Sequence, residues 1–307
     1  EAIKSALEMP PDERGERISK IKARIKGYDV FRWADDFITR LRGSSGITGK
    51  YDKIKFTRSI QDRIVEDYRK AASRILFLDY DGTLVNFCSK PEDAVPDNEL
   101  YSILENAAAK PQNKIVIISG RDRFFLERWF SSLPGLTLVA EHGAWIRHPG
   151  SDWEKTIDTD TGWKRLIRPL LEKYERHTPG TFIEEKDFSL AWHYRNADCD
   201  LASINSRELI VQLLSFISNL NLGLLEGDRV IEIKSHENSK GAIAARLISG
   251  EGYDFILAAG DDMTDETMFE RLPETACSIK IGIGNTSAKY SLCDVDEFRR
   301  LLGIFGE

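Results

Sequence analysis

Apolar runs along this chain repeatedly stop at polar residues. Ile75-Leu76-Phe77-Leu78 ends at Asp79, and Ile115-Val116-Ile117-Ile118 ends at Ser119-Gly120-Arg121. Leu136 to Ala140 ends at Glu141-His142-Gly143, and Phe255 to Ala259 ends at Gly260-Asp261-Asp262. A fifth run spans Ser278 to Ile283. Runs without a polar break predict strands buried on both faces, as in a parallel sheet. Helical patterns lie between them, one around Asp97 to Ala109 and one carrying Phe125, Trp129 and Phe130. Residues 54–72 predict a further amphipathic helix, with Ile60, Ile64 and Tyr68 on one face. Strands alternating with helices predict an α/β fold, a doubly wound parallel-sheet (Rossmann-like) core.

Between residues 148 and 235 the rhythm changes to alternation of apolar and polar positions, so each strand has one buried face. Thr181 to Lys186 and Ser189 to Tyr194 flank Asp187-Phe188, and Leu222 to Glu226 and Arg229 to Lys234 flank Gly227-Asp228. Both read as hairpins. With helical segments near 162–177 and 203–219, this stretch predicts an inserted α+β cap. Period two puts Ile231 and Ile233 on the helix-covered face and Glu232 on the other, with Val230 and Lys234. The same rule sets Glu184 and Lys186 together, opposite Ile183. The open face of the insert therefore carries carboxylates and an ammonium.

Residues 1–43 show two narrow apolar stripes, Ile18/Ile21/Ile25 and Trp33/Phe37/Leu41, followed by a flexible linker ending at Gly49. The expected organisation is a helical segment with linker at 1–49, core at 50–147, cap at 148–235 and core again at 236–307.

The net charge of −7 over 307 residues, with no strongly basic segment, argues against a nucleic-acid partner. No apolar run approaches the ~18 residues of a membrane span, and no signal-peptide pattern opens the chain. The four cysteines, Cys88, Cys199, Cys277 and Cys293, form no C-x-x-C pair. They read as reduced thiols in a cytoplasmic protein. The chain begins at Glu1 without methionine, which reads as a piece of something longer.

Four polar clusters sit at strand ends or a helix start: Asp79/Asp81/Thr83, Ser119/Arg121, Lys240, and Asp261/Asp262/Asp265. In an open α/β sheet that edge is where ligands bind. Phosphoryl transfer needs an in-line nucleophile, donors for the phosphoryl oxygens and a cation. Asp79 can attack phosphorus, and Asp81 can protonate the leaving alcohol and then deprotonate water. Ser119 and Lys240 can hold phosphoryl oxygens. Asp261, beside Asp79 and the backbone carbonyl of Asp81, can hold Mg2+, which suits oxygen ligands. Taken singly, each cluster has a plain alternative. Ser119 could be a helix N-cap, Lys240 a surface lysine, the Asp261 group a solvated helix start, and Glu184/Lys186 a surface pair. His193 reads as a hydrogen-bonded structural histidine. The joint occurrence, in order, favours a single site.

The clusters resemble the four motifs of the haloacid dehalogenase superfamily of phosphohydrolases, and the insert sits where its C2-type cap does. The likeness extends to Ser119-Gly120-Arg121, Glu141-His142-Gly143, Gly180-x-x-x-Glu184-x-Lys186-x-x-Ser189-x-x-x-His193-Tyr194-Arg195 and Gly260-Asp261-Asp262-x-Thr264-Asp265-Glu266. These resemble the trehalose-6-phosphate phosphatases over residues 74–305. The resemblance implies a Mg2+ enzyme with Asp79 as nucleophile, Asp81 as acid/base, and Asp79, Asp81, Asp261 and Asp265 at the metal. It implies that Glu184, Lys186 and Glu232 contact the sugar, and that Thr83, Arg121, His142 and Arg195 belong to the substrate site. A sucrose-phosphate phosphatase of the same fold and a regulatory subunit are the alternatives. Residues 1–43 resemble the C-terminal tail of trehalose-6-phosphate synthases. That likeness implies no synthase activity, since the nucleotide-sugar-binding portion is missing, and makes a synthase the expected protein partner.

Overall fold

The computed structural model describes residue 10 and residues 54–306, apart from 89–90, 157–159, 218–219 and 228. The chain divides into two units, Glu1–Asp52 and Lys53–Glu307, and the second carries everything below. The helical stripes and linker expected within residues 1–49 lie outside the described residues.

The larger sheet contains β1 (Ile54–Lys55), β2 (Arg74–Leu78), β3 (Asn113–Ile118), β4 (Leu136–Ala140), β5 (Trp145–Arg147) and β6 (Glu154–Lys155). The smaller contains β7 (Phe182–Glu185), β8 (Ser189–His193), β9 (Leu222–Gly227) and β10 (Val230–Ser235). The larger is completed by β11 (Phe255–Gly260), β12 (Cys277–Ile281) and β13 (Tyr290–Leu292). The helices are α1 (Arg58–Lys70), α2 (Asn98–Ala108), α3 (Arg123–Phe130), α4 (Trp163–His177) and α5 (Cys199–Ile217). They continue with α6 (Lys240–Ser249), α7 (Met263–Arg271) and α8 (Val295–Gly306).

The nine-stranded sheet has the order β1-β13-β12-β11-β2-β3-β4-β5-β6. Neighbours from β1 to β4 run parallel, and β5 and β6 extend the edge antiparallel. β2 shows why the sheet is doubly wound. Leu76 and Leu78 enter one core with Ile64 of α1, Leu100 of α2, Phe130 of α3 and Phe298 of α8. Ile75 and Phe77 enter the other, against Ile243 of α6 and Met268 of α7. All four are fully buried, which stabilises the fold by ~1.5–3 kcal/mol for each side chain. The chain leaves β2 toward β3 on one side and returns to β11 on the other. That reversal opens a crevice at the carboxyl end of β2.

The smaller sheet, β7-β8-β10-β9, is antiparallel throughout. Ile231 and Ile233 pack with Trp163 and Ile167 of α4 and Leu209 and Leu213 of α5, as period two predicts.

Some elements differ from the sequence reading. The helix expected over 54–72 is shorter, because Thr57 caps it and the two residues of β1 precede it. The fifth run stops at Ile281, since Gly282 takes φ +86. β5, β6 and β13, of three residues or fewer, carry too little period to be read. Ser119 is not a helix cap: the side chain of Asp122 caps α3 by accepting from Phe125 N at 2.9 Å.

Candidate active site

Asp79 follows the last residue of β2, and its amide donates to Ala259 O of β11 at 3.1 Å. Pleat alternation sends Tyr80 the opposite way, where its hydroxyl donates to Ala94 O at 2.7 Å. Gly82 then turns the chain at φ +80, and a Cβ there would come within 2.5 Å of the Asp261 carboxylate. Only glycine lets the motif pass so close to a second acid.

Three carboxylates, Asp79, Asp261 and Asp265, bring oxygens within 4.8 Å of one another. Lys240, the first residue of α6, donates to Asp79 Oδ1 at 2.6 Å and to Asp265 Oδ1 at 2.8 Å. It is 2% exposed, so the surface-lysine alternative is excluded. Asp265 is fully buried and its other oxygen accepts from the amides of Asp261 (3.0 Å) and Asp262 (3.1 Å). It completes the capping box of α7 with Asp262. Burial, with Asp261 and Asp262 beside it, pushes the Asp79 carboxyl up to about 8, against the opposing pull of Lys240. Burial and the acids Asp262 and Asp265 push Asp261 up to about 7. Burial holds Lys240 back, yet Asp265 and Asp79 raise it well above the ordinary ammonium range. One ammonium does not neutralise this group. An oxygen-only, buried donor set with raised carboxyls fits a hard divalent cation.

The Asp81 side chain points elsewhere. Arg121 grips it with two hydrogen bonds, Nε to Oδ2 at 2.7 Å and Nη2 to Oδ1 at 2.5 Å. The guanidinium lies 3.9 Å from the Phe125 ring centroid and 5.2 Å from that of Trp129, which fixes its plane. Ser119 Oγ accepts from Arg121 N at 3.2 Å.

These groups floor a cavity of about 550 Å³ whose opposite wall is the smaller sheet. Glu184 and Glu232 both pair in register with Ala191, so two carboxylates flank one small side chain. Lys186 Nζ stands 3.8 Å from Glu184 and 3.7 Å from Glu232, and donates to Gly120 O at 3.1 Å across the cleft. His193 Nε2 bonds Glu184 at 2.8 Å, and Phe182 stacks on that ring at 4.5 Å. Burial would raise Glu232, yet Lys186 and His142 hold it well below the usual carboxylate range. Burial and the charge of Lys234 push His142 down to about 4, so its ring is neutral near pH 7.

The expected residues therefore fall into two groups. Asp79, Asp81, Ser119, Arg121, His142, Glu184, Lys186, Arg195 and Lys240 line the cavity. Thr83, Asp265 and Glu232 are buried beside this lining, and Asp261 is half-buried next to them. Thr83 is fully buried, with Oγ1 3.5 Å from Asp261 Oδ1. Glu232 lies 3.3 Å from His142 Nε2.

A trehalose-phosphatase profile matches residues 77–298. The chain belongs to the trehalose-phosphatase family. A bifunctional trehalose-6-phosphate synthase/phosphatase of Thermoproteus tenax is 38% identical over 304 residues, 98% of this chain and 42% of that protein. The trehalose-phosphatase of Saccharomyces cerevisiae is 33% identical over 294 residues, 88% of this chain and 32% of that protein. This chain thus spans less than half the length of both. The solved C-terminal domain of the C. albicans trehalose-6-phosphate phosphatase aligns with TM-score 0.77 and 28% identity, covering 83% of this chain and 98% of that one. The family's haloacid-dehalogenase-type α/β core is the architecture seen here.

Some residues of the site were given no role by the sequence reading. Glu141 is buried at φ +47, next to His142 at φ +58, both in the left-handed region that side chains avoid. Its carboxylate accepts from the amides of Asp187 (3.3 Å) and Phe188 (2.9 Å), pinning the β7–β8 turn to the core. Its place at a strand end, like Ser119 and Asp261, was the available signal. Phe182 shares the face of Glu184 and Lys186 by period two and could have been found the same way. Phe87 faces the cavity from the loop after Asp81 and left no pattern.

Proposed function

We propose that this chain is a Mg2+-dependent phosphatase that hydrolyses trehalose 6-phosphate to trehalose and phosphate. The observation that carries the reading is Asp79, paired with Lys240 at 2.6 Å in a carboxylate trio beneath a cavity roofed by Glu184 and Lys186. An Asp79 oxygen attacks phosphorus as the bond from phosphorus to the sugar oxygen breaks, leaving an aspartyl-phosphate. Asp81, protonated once its carboxyl leaves Arg121, gives that proton to the departing alkoxide. It then takes a proton from the water that attacks the aspartyl-phosphate, which frees phosphate and restores Asp79. Ser119 and Lys240 hold phosphoryl oxygens, and Lys240 also orients Asp79. Arg121 fixes the Asp81 carboxylate at the cavity wall. Asp79, Asp261 and Asp265 would hold Mg2+, with the backbone carbonyl of Asp81. The bound cation supplies neutralisation of the phosphoryl charge.

The roof serves selection. Glu184 and Lys186 offer an acceptor and a donor to sugar hydroxyls. Glu232 sets the position of Lys186 and His142, and Thr83 that of Asp261. His142 and Arg195 complete the substrate wall. The comparisons do not favour a sucrose-phosphate phosphatase, and the intact acidic set argues against a regulator without turnover. Likeness to a bifunctional relative supports a synthase as protein partner. The unpaired thiols Cys88, Cys199, Cys277 and Cys293 support a cytoplasmic setting. No helix among the described residues is long and apolar enough to cross a membrane.

Phosphate release across a panel of sugar phosphates, with Mg2+ and with chelator, tests the reading. Trehalose 6-phosphate is the expected best substrate, with loss of turnover in chelator. Preference for sucrose phosphate, or full activity in chelator, overturns it.

A further inference from the structure

Phe182 opens β7, the edge strand of the smaller sheet, and is 48% exposed. A single exposed apolar residue is ordinary on an outer surface, but this ring belongs to the cavity lining. It is also held in place. Phe182 pairs in register with His193, and the two rings stack at 4.5 Å with their planes 7° apart. His193 is fixed in turn by Glu184, which its Nε2 meets at 2.8 Å. The cross-strand stack accounts for one face of the Phe182 ring. Among the described residues no second ring packs on the other face. Phe87, the other strongly exposed ring of the lining, belongs to the floor, since a Cβ on Gly82 would come within 2.7 Å of it.

A pyranose ring is amphipathic. Its hydroxyls leave at the edge, and its C–H bonds make an apolar face. A flat aromatic surface beside a carboxylate and an ammonium complements both. Position along β7 says which sugar ring meets Phe182. Period two puts Phe182, Glu184 and Lys186 on one face. The Lys186 end of that row meets the core: Lys186 donates to Gly120 O at 3.1 Å, and just beyond it the amides of Asp187 and Phe188 donate to Glu141. Gly120 follows Ser119, where the phosphoryl group is placed. Phe182 lies ~7 Å past Glu184 in the opposite direction, at the end of the row farthest from that group. The ring that bears the phosphate therefore takes the Lys186 end, and a second ring takes the Phe182 end.

We propose that Phe182 is a specificity-determining residue: it packs the C–H face of the sugar ring that carries no phosphate, and so selects a disaccharide phosphate over a monosaccharide phosphate. The inference rests on the sugar-phosphatase reading above. Steady-state kinetics of the full chain test it, with circular dichroism as a fold control. The probes are trehalose 6-phosphate, a small aryl phosphate, and glucose 6-phosphate as substrate or competitive inhibitor. Phe182→Ala is expected to weaken the apparent affinity for trehalose 6-phosphate about tenfold relative to the other two. Its kcat on trehalose 6-phosphate should stay within about twofold of the parent's. Phe182→Tyr, which keeps a flat ring, restores KM, and Phe182→Leu, apolar but not flat, does not. An unchanged KM for trehalose 6-phosphate, an equal loss on all three probes, or a Phe182→Leu enzyme as good as Phe182→Tyr overturns the proposal. Failure of the underlying reading shows itself in the parent protein, as no preference for trehalose 6-phosphate. Failure of this inference shows itself only in the variants.

Discussion

At the floor of the cavity three carboxylates, Asp79, Asp261 and Asp265, converge on one ammonium, Lys240. At the roof Glu184 and Glu232 share Lys186, and each carboxylate also has an imidazole neighbour, His193 or His142. Both regions bury charge, yet their acids respond oppositely. Burial and like charge push Asp79 up to about 8 and Asp261 up to about 7. In the roof burial also acts to raise Glu184, but His193 and Lys186 outweigh it and hold the group low. The floor is short of positive charge, which suits the cation and phosphoryl group proposed for it. The roof is compensated within itself, which suits the neutral sugar proposed for it.

Four experiments break or sharpen that contrast. The largest effect is expected for Asp79→Asn, which removes the attacking oxygen and should lower kcat on the order of 10⁴-fold or more. Single-turnover assays should show the loss equally for trehalose 6-phosphate and a small aryl phosphate. Retained turnover would remove Asp79 from the chemistry.

Lys240→Ala comes next. It leaves the buried Asp79 and Asp265 carboxyls without their hydrogen-bond donor, a change that costs about 1–3 kcal/mol for each buried group left unsatisfied. Urea unfolding of the metal-free protein reads it. A cost below about 1 kcal/mol would mean that neither carboxyl depends on Lys240 for a partner.

Lys186→Ala acts on the roof. It should raise KM for trehalose 6-phosphate about 10- to 100-fold through lost hydrogen bonds in a desolvated site. The aryl phosphate, which has no sugar to grip, should keep its KM. Equal losses on both substrates would move Lys186 from selection to general binding.

The smallest effect is a pH dependence. In metal-free protein the Asp79 carboxyl is raised from 3.8 to about 8, so the folded form keeps a proton that the unfolded chain releases. This contribution to stability is full below about pH 4 and declines as pH rises toward 8. A cation that replaces the proton must therefore stabilise the fold more at pH 8 than at pH 5.5, by ~1 kcal/mol at moderate occupancy. Thermal shifts with and without Mg2+ at the two pH values measure it. A larger shift at the lower pH would contradict the floor's charge deficit.

The core strands were legible because each is an unbroken apolar run, and the candidate nucleophile because it ends one. The facing of Glu184, Lys186 and Glu232 was legible from strand parity, since period two needs no knowledge of the partner strand. The short strands β1, β6 and β13 were not, because two or three residues carry no period. Nor was the fate of Asp81. Nothing local in Asp79-Tyr80-Asp81 says that Arg121, 40 positions on, takes both of its oxygens.

By itself the sequence determined which residues are acids, where each apolar run stops and which side chains share a strand face. These are properties of neighbours a few positions apart. Tertiary structure alone decided that Lys240 joins Asp79 across 161 positions and that Thr83 and Glu232 are buried beside the lining. It also decided that Glu141 is held in a left-handed conformation to pin the β7–β8 turn. The reason is that a pairing between distant segments depends on strand order and on how the smaller sheet docks. Those are set by the burial of whole faces, not by the residues that end up paired.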